Sequence, residues 1–287
     1  MSATLLFTMH RFFIACLALL AATPALAVVR GAVSRDPNGV RASVVRVENS
    51  NGELCSGAMI APDLVLTAAH CVLQRAAYRV VGVDRSFRPR AVMAVAAAMH
   101  PAFVPGTTPR TQPGVDLAIL KLAQPLGPDF TPLDVYASGR IGRGDPVALA
   151  GFGVAVDGRS ATARTLRETR LVTLGPYPAA NRVLAVVDEE RLAEVPGAGA
   201  CRGDSGGPIL GGGAGRYQLL GIVSWSSGPF GMPTESPCGG VTAVTPVAEH
   251  TSWIAARASD LRRLTPGQPL PAEPGRSNAV DWVARGR

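Results

Sequence analysis

The segment Cys201-Arg202-Gly203-Asp204-Ser205-Gly206-Gly207-Pro208 sets a serine in a glycine-rich turn. With a glycine two residues before it, such a serine sits where two backbone N–H groups can converge on a developing oxyanion. Ser205 is therefore a candidate nucleophile and Gly203 a candidate oxyanion donor. A serine hydroxyl is weak at neutral pH, so it needs a base within hydrogen-bond reach and a third group to orient that base. Of the four histidines, His10 lies in an apolar N-terminal stretch, and His100 and His250 have no distinctive surroundings. His70 closes the run Leu64-Val65-Leu66-Thr67-Ala68-Ala69-His70-Cys71, which suits a strand delivering an imidazole to a tightly packed turn. Asp116 precedes a second apolar run, Leu117 to Leu122, where a buried orienting carboxylate belongs. The order is His, Asp, Ser, a set able to transfer acyl groups through a covalent intermediate.

Two other chemistries compete for the same residues. Gly203-Asp204-Ser205-Gly206-Gly207 fits the Gly-x-Ser-x-Gly elbow of an α/β-hydrolase, which would make the protein an esterase using His250 with Glu235 or Glu249. That fold needs a helix directly behind the nucleophile, and Gly211-Gly212-Gly213-Ala214-Gly215 breaks helices and suits a hairpin loop. Metal chemistry would call for Cys-x-x-Cys or His-Glu-x-x-His spacing, and neither occurs, so no metal is implied.

The elements that must hold these residues are short. Apolar runs at Ala42 to Val47, Leu64 to Thr67, Val147 to Gly151 and Gln218 to Trp225, separated by turns rich in the 32 glycines and 24 prolines, predict an all-β architecture. With 287 residues and 47% hydrophobic content, the chain can bury one large or two modest cores. Residues 1–27 read as a secretory signal: Arg11, an apolar stretch from Phe12 to Ala22, and Pro24-Ala25-Leu26-Ala27 as the cleavage site. The apolar stretch falls short of the roughly 20 residues of a membrane span. Cys16 would leave with the signal, and Cys55, Cys71, Cys201 and Cys238 remain; four cysteines allow three pairings. The net charge of +7 comes from scattered arginines, with Lys121 the single lysine, and makes no basic stripe with interleaved aromatics. Nucleic acid is not an expected partner, nor is a membrane after signal removal.

Thr67 to Cys71, Asp116 to Leu122, Gly203 to Pro208 and Ser224-Trp225 resemble, in order and at similar separations, the motifs of the chymotrypsin/trypsin-like serine proteases. The resemblance spans about 230 residues, from Val28 to near Ser259, and is to the secreted, bacterial type. It implies two six-stranded antiparallel β-barrels with the active site in the cleft between them. The first would run from about 28 to 133, a linker from 134 to 141 and the second barrel from 142 to 247. A C-terminal helix at about 246–258 agrees with proline at its start and an apolar side of Val247, Trp253 and Ile254. Residues 259–287 form a proline-bearing tail expected to be disordered.

The same resemblance implies roles. His70, Asp116 and Ser205 would be the triad, Gly203 and Ser205 the oxyanion hole, and Ser224 a support for Asp116. Cys55 would pair with Cys71 and Cys201 with Cys238. Trp225 and Ser226 would offer backbone to an extended substrate strand. The pocket for the side chain before the cleaved bond would have Gly199 and Ala200 at its floor and Ser226 and Gly240 as walls. With no carboxylate there, a buried Arg or Lys would lack a partner, so cleavage after uncharged, small or medium side chains is expected. Val28-Val29-Arg30-Gly31 resembles the mature start of such enzymes, so signal removal would free a Val28 ammonium to meet Asp204 without a separate activation step. The expected protein is a secreted, extracellular or periplasmic monomeric endopeptidase. It needs no cofactor and acts on protein or peptide substrates, with protein inhibitors as possible further partners. The alternative is a catalytically silent relative that serves as a binding module.

Overall fold

The computed structural model describes residues 28–137, 139–213, 216–231, 236–264 and 279–281, with backbone alone at 178 and 279–281. The expected signal, the rest of the tail and Glu235 lie outside the described residues. The strands are β1 (Ala32–Val33), β2 (Val44–Asn49), β3 (Leu54–Ala61), β4 (Leu64–Thr67), β5 (Tyr78–Val83), β6 (Pro89–Met99) and β7 (Ala118–Leu122). They continue with β8 (Pro146–Gly151), β9 (Arg167–Pro178), β10 (Arg182–Val187), β11 (Pro208–Gly213), β12 (Arg216–Ser226) and β13 (Thr242–Pro246). Helix α1 (Thr251–Arg263) and a last strand, β14 (Ala279–Asp281), follow.

Two closed six-stranded antiparallel barrels result. In the first the order β6-β5-β2-β3-β4-β7 closes by pairing of β6 with β7; in the second β9-β10-β13-β12-β11-β8 closes by pairing of β8 with β9. Each gains one short edge strand. Ala32 and Val33 pair with Glu168 and Arg167, and a turn earlier Val29 exchanges backbone bonds with Gly199 (3.0 and 3.2 Å), so residues 28–33 lie against the second barrel. From the tail, Ala279–Asp281 pairs with Ala96–Ala98 of β6.

The four runs expected as strands fall in β2, β4, β8 and β12, apart from Ala42 and Ser43, which precede β2, and closing the barrels buries them. Met59, Leu64, Leu66, Ile119, Leu120 and Leu122 fill the first barrel, and Leu149, Val186, Ile209 and Val244 the second. The helix differs from expectation. It starts at Thr251, since Pro246 completes β13 opposite Gly221 and the Val247 N–H bonds to the Leu220 carbonyl; the chain then turns through His250. Ile254, Ala258 and Leu261 form its buried face. Among the described residues no helix is long and apolar enough to cross a membrane.

Candidate active site

His70 stands in a single turn of 3-10 helix, Ala69–Val72, at the end of β4, and the Cys55–Cys71 disulfide ties that turn to β3. Asp116, fully buried, precedes β7, the strand paired with β4, so the two residues are brought together by one ladder. Oδ2 of Asp116 lies 2.8 Å from His70 Nδ1, and Oδ1 accepts the His70 backbone N–H at 3.0 Å. An ionised carboxylate can only accept, so Nδ1 carries the proton and Nε2 is left as the basic nitrogen. Ser224, buried in β12 of the other barrel, donates to the same Oδ2 at 2.5 Å. His70, Asp116 and Ser224 thus form a hydrogen-bonded chain across the junction of the barrels.

Burial disfavours charge on the imidazole, but the adjacent Asp116 charge and hydrogen bond outweigh it and raise the His70 pKa above the ordinary 6.5. Burial likewise pushes the Asp116 carboxyl upward. The His70 charge and the bonds from His70 and Ser224 outweigh it and hold the carboxyl below its usual range.

Ser205 sits in the turn leading into β11, and its Oγ is directed to the Ser224 carbonyl at 3.5 Å. The N–H groups around it divide cleanly. Those of Asp204, Gly206 and Gly207 bond to the Cys201, Val223 and Asp204 carbonyls, whereas those of Gly203 and Ser205 have no protein acceptor among the described residues. Gly206 has φ of +80°, and a β-carbon on it would fall 2.1 Å from Thr67 Oγ1 and 2.3 Å from the Ser56 carbonyl. Only glycine lets the loop press against the first barrel this closely.

Ser56, on β3 beside the disulfide, escaped the sequence reading. Its N–H bonds to the Ser205 carbonyl (2.8 Å), its Oγ donates to the Gly203 carbonyl (2.9 Å) and accepts from Phe152 N–H (2.9 Å), and its carbonyl accepts from Thr67 Oγ1 (2.8 Å). A small hydroxyl beside a strand cysteine was the one signal available.

Asp204 is buried in a hollow bounded by Gly151 and Gly153 and accepts N–H bonds from Gly153 (2.8 Å) and Cys201 (3.0 Å). Burial dominates these bonds and the more distant Arg167 charge, and its pKa is pushed up to about 7. Val28 is also fully buried.

A cavity of about 870 Å³ opens beside Ser205, and Trp225, Ser226, Tyr177 and Phe230 line it. Tyr177 meets the Trp225 ring edge-on at 6.0 Å and stacks on Phe230 at 6.3 Å. Of the four residues expected to make the primary pocket, Ser226 lines this cavity. Gly199, Ala200 and Gly240 are buried behind it: Ala200 N–H bonds to Thr242 Oγ1 at 2.9 Å, and a β-carbon on Gly240 would fall 2.1 Å from the Gly228 carbonyl. The Cys201–Cys238 disulfide fastens this wall to the Ser205 loop.

Among the described residues the esterase arrangement has no counterpart. The His250 ring packs against that of His100 at 5.1 Å, and Glu249 pairs with Arg182 at 3.2 Å. Potential metal ligands converge among the described residues at Cys55, His70 and Cys71 and at Asp157, Cys201 and Cys238. In each group two of the three are disulfide sulfurs, which offer no thiolate.

Residues 29–254 match the family model described as Trypsin. The chain is 30% identical over 232 residues to human granzyme M, covering 75% of this chain and 83% of that protein. It is 31% identical over 220 residues to the vitellin-degrading protease of Bombyx mori, covering 72% and 77%. Among solved structures, mouse neuropsin superposes with a TM-score of 0.63 at 23% identity over 80% of this chain and all of that one. Human heparin binding protein gives 0.62 at 23% over 84% and 100%. These relatives are animal proteins and lend no support to a bacterial type.

Proposed function

The chain belongs to the trypsin family and is a serine endopeptidase, and we propose that Ser205 is its nucleophile, His70 its general base and Asp116 the group that orients the base. The observation that carries this reading is the pair of uncommitted N–H groups at Gly203 and Ser205, in a loop where the amides of Asp204, Gly206 and Gly207 are engaged. Rotation of the Ser205 side chain about χ1 exchanges the Ser224 carbonyl for His70 Nε2 as acceptor. Oγ then attacks the peptide carbonyl carbon as its proton passes to Nε2, and the carbonyl oxygen becomes an oxyanion bonded by the two N–H groups. His70 returns the proton to the leaving amine, breaking the C–N bond, and next takes a proton from the water that hydrolyses the acyl-enzyme. Asp116 stabilises the imidazolium without itself taking a proton.

Protein and peptide substrates would lie extended along Trp225 and Ser226, adding a strand to the edge of β12. Cleavage after small or medium uncharged side chains is supported by the lack of any carboxylate among the described residues that line the cavity. The protein works as a secreted monomer, its cleft also open to protein inhibitors. Removal of residues 1–27 frees the Val28 ammonium to pair with Asp204, a buried acid with two N–H partners on which the Arg167 charge acts only weakly.

A fluorophosphonate probe and a peptide library test the reading together. The probe is expected to label wild-type protein at Ser205 and to leave Ser205→Ala unlabelled, with library cuts falling after uncharged residues. Label on another residue, or none, sinks the assignment of the nucleophile; a dominant preference for Arg or Lys sinks the proposed specificity.

A further inference from the structure

The loop between β6 and β7 carries Arg110 into the same cleft. Buried Gln112 organises that loop: its Oε1 accepts the N–H groups of Val104 (3.0 Å) and Gly114 (2.8 Å), and its Nε2 donates to the Val104 carbonyl (3.0 Å) and Thr107 Oγ1 (2.8 Å). The amide is therefore fully used. Asn181 Nδ2, from the turn between β9 and β10, donates to the Gly114 carbonyl at 2.8 Å and fastens the loop to the second barrel. The loop is thus held from both barrels, and Arg110 is presented from a fixed base.

The Arg110 guanidinium lies 5.4 Å from the centre of the Trp225 ring, and its Nη2 donates to the Ser226 carbonyl at 2.7 Å. It forms no ion pair among the described residues. The other arginine on the cavity, Arg202, differs in that Asp157 pairs with it at 2.9 Å. Arg110 is thus a cation set on an aromatic floor, with one of its five donors in use and no carboxylate counterpart, beside the backbone edge where a substrate strand would lie.

We propose that Arg110 is a specificity residue that selects substrates bearing a carboxylate side chain among the second to fourth residues before the cleaved bond. The proposal rests on the strand-addition mode given above. A carbonyl oxygen has two lone pairs, so Ser226 can keep the Arg110 bond while accepting a substrate N–H. Side chains alternate along an extended peptide, so residues flanking the paired one project toward Trp225 and the guanidinium. A carboxylate arriving there meets planar donors suited to two-point contact, already positioned by the Gln112 loop. Amide or basic side chains at the same place leave the cation unpaired or repel it.

The test uses dye-labelled peptides with alanine before the scissile bond and Glu, Gln or Lys at each of the three preceding positions. Binding is measured on Ser205→Ala protein, kcat/KM on wild type, and fluorophosphonate labelling on wild type in parallel. Glu peptides are expected to bind and turn over about tenfold or more better than Gln peptides at one of these positions, the size of a charge-assisted hydrogen bond, with the gap shrinking as salt is raised. Arg110→Ala should bring Glu and Gln peptides level, and Arg110→Glu should shift the preference to Lys. Equal binding of Glu and Gln peptides to Ser205→Ala protein overturns the proposal. So does a uniform gain for all peptides in Arg110→Ala, which would make Arg110 a plug on the strand-binding edge. Labelled, active protein without a Glu preference would leave the protease reading standing while removing this one. Failure of labelling would remove the nucleophile assignment, with peptide binding still deciding the role of Arg110.

Discussion

His70 and Asp116 titrate as neighbours, and their mutual effect fixes where activity should fall with pH. Catalysis needs neutral Nε2, and the His70 pKa is raised above 6.5 chiefly against the pull of burial by the Asp116 charge. The acid limb of kcat/KM should therefore have its midpoint above 6.5 in wild type. In Asp116→Asn it should move lower, as activity drops by about 10⁴, a magnitude taken over from the chymotrypsin triad. An unmoved midpoint in a pH–rate profile would show that Asp116 does not set the base. At this scale the sequence was informative wherever chemistry restricts residue type: only a few histidines and one well-placed acid could serve Ser205. Arg110 and Gln112 gave no such signal. One arginine among many becomes distinctive only when a folded loop sets it over Trp225.

Strands and turns convert these residues into a site, and Ser56 shows how. Its position on β3 links the Gly203 and Ser205 carbonyls of the Ser205 loop with Phe152 N–H of the second barrel. Ser56→Ala would leave the buried Phe152 N–H and the Gly203 carbonyl without their partner, a loss of about 1–3 kcal/mol. Denaturant unfolding should register that loss. Because the Gly203 carbonyl belongs to the loop proposed to offer the oxyanion donors, kcat should fall more than KM rises. A mutant with wild-type stability and kcat would show the hydroxyl to be incidental. Local pattern located the strands well, since strands buried on both faces leave continuous apolar runs bounded by turn residues. It misplaced the helix start by five residues because Pro246 satisfies two local rules, opening a helix or ending a strand, and pairing with Gly221 chose the second.

Across the whole molecule, the proposed pairing of Val28 with the buried Asp204 carboxyl would couple the N-terminal segment to the second barrel. Without an ammonium partner its pKa stands at about 7 against an ordinary 3.8. The native state then holds the proton more tightly than the unfolded chain. The stability this confers is fully present below about 3.8 and is lost as pH rises through about 7. A Val28 ammonium pairing with the carboxylate would offset the loss, on the order of 4 kcal/mol near neutral pH. Protein beginning at Val28 should therefore melt well above protein retaining Ala27 at pH 7 to 7.5, with the gap closing below pH 4. Equal Tm values across that range would refute the pairing.

The sequence by itself determined the fold class and the chemistry, because a His-Asp-Ser order, four cysteines beyond the N-terminal apolar stretch and short apolar runs each constrain the answer locally. Tertiary structure decided what depends on approach between distant segments. It set Ser224 on Asp116 across 108 positions and Ser56 on Gly203 across 147, seated residues 28–33 on the second barrel and brought Arg110 to Ser226 across 116. Hydrogen bonds and close packing act over a few ångströms in space, a distance that spacing along the chain does not encode until both barrels have closed.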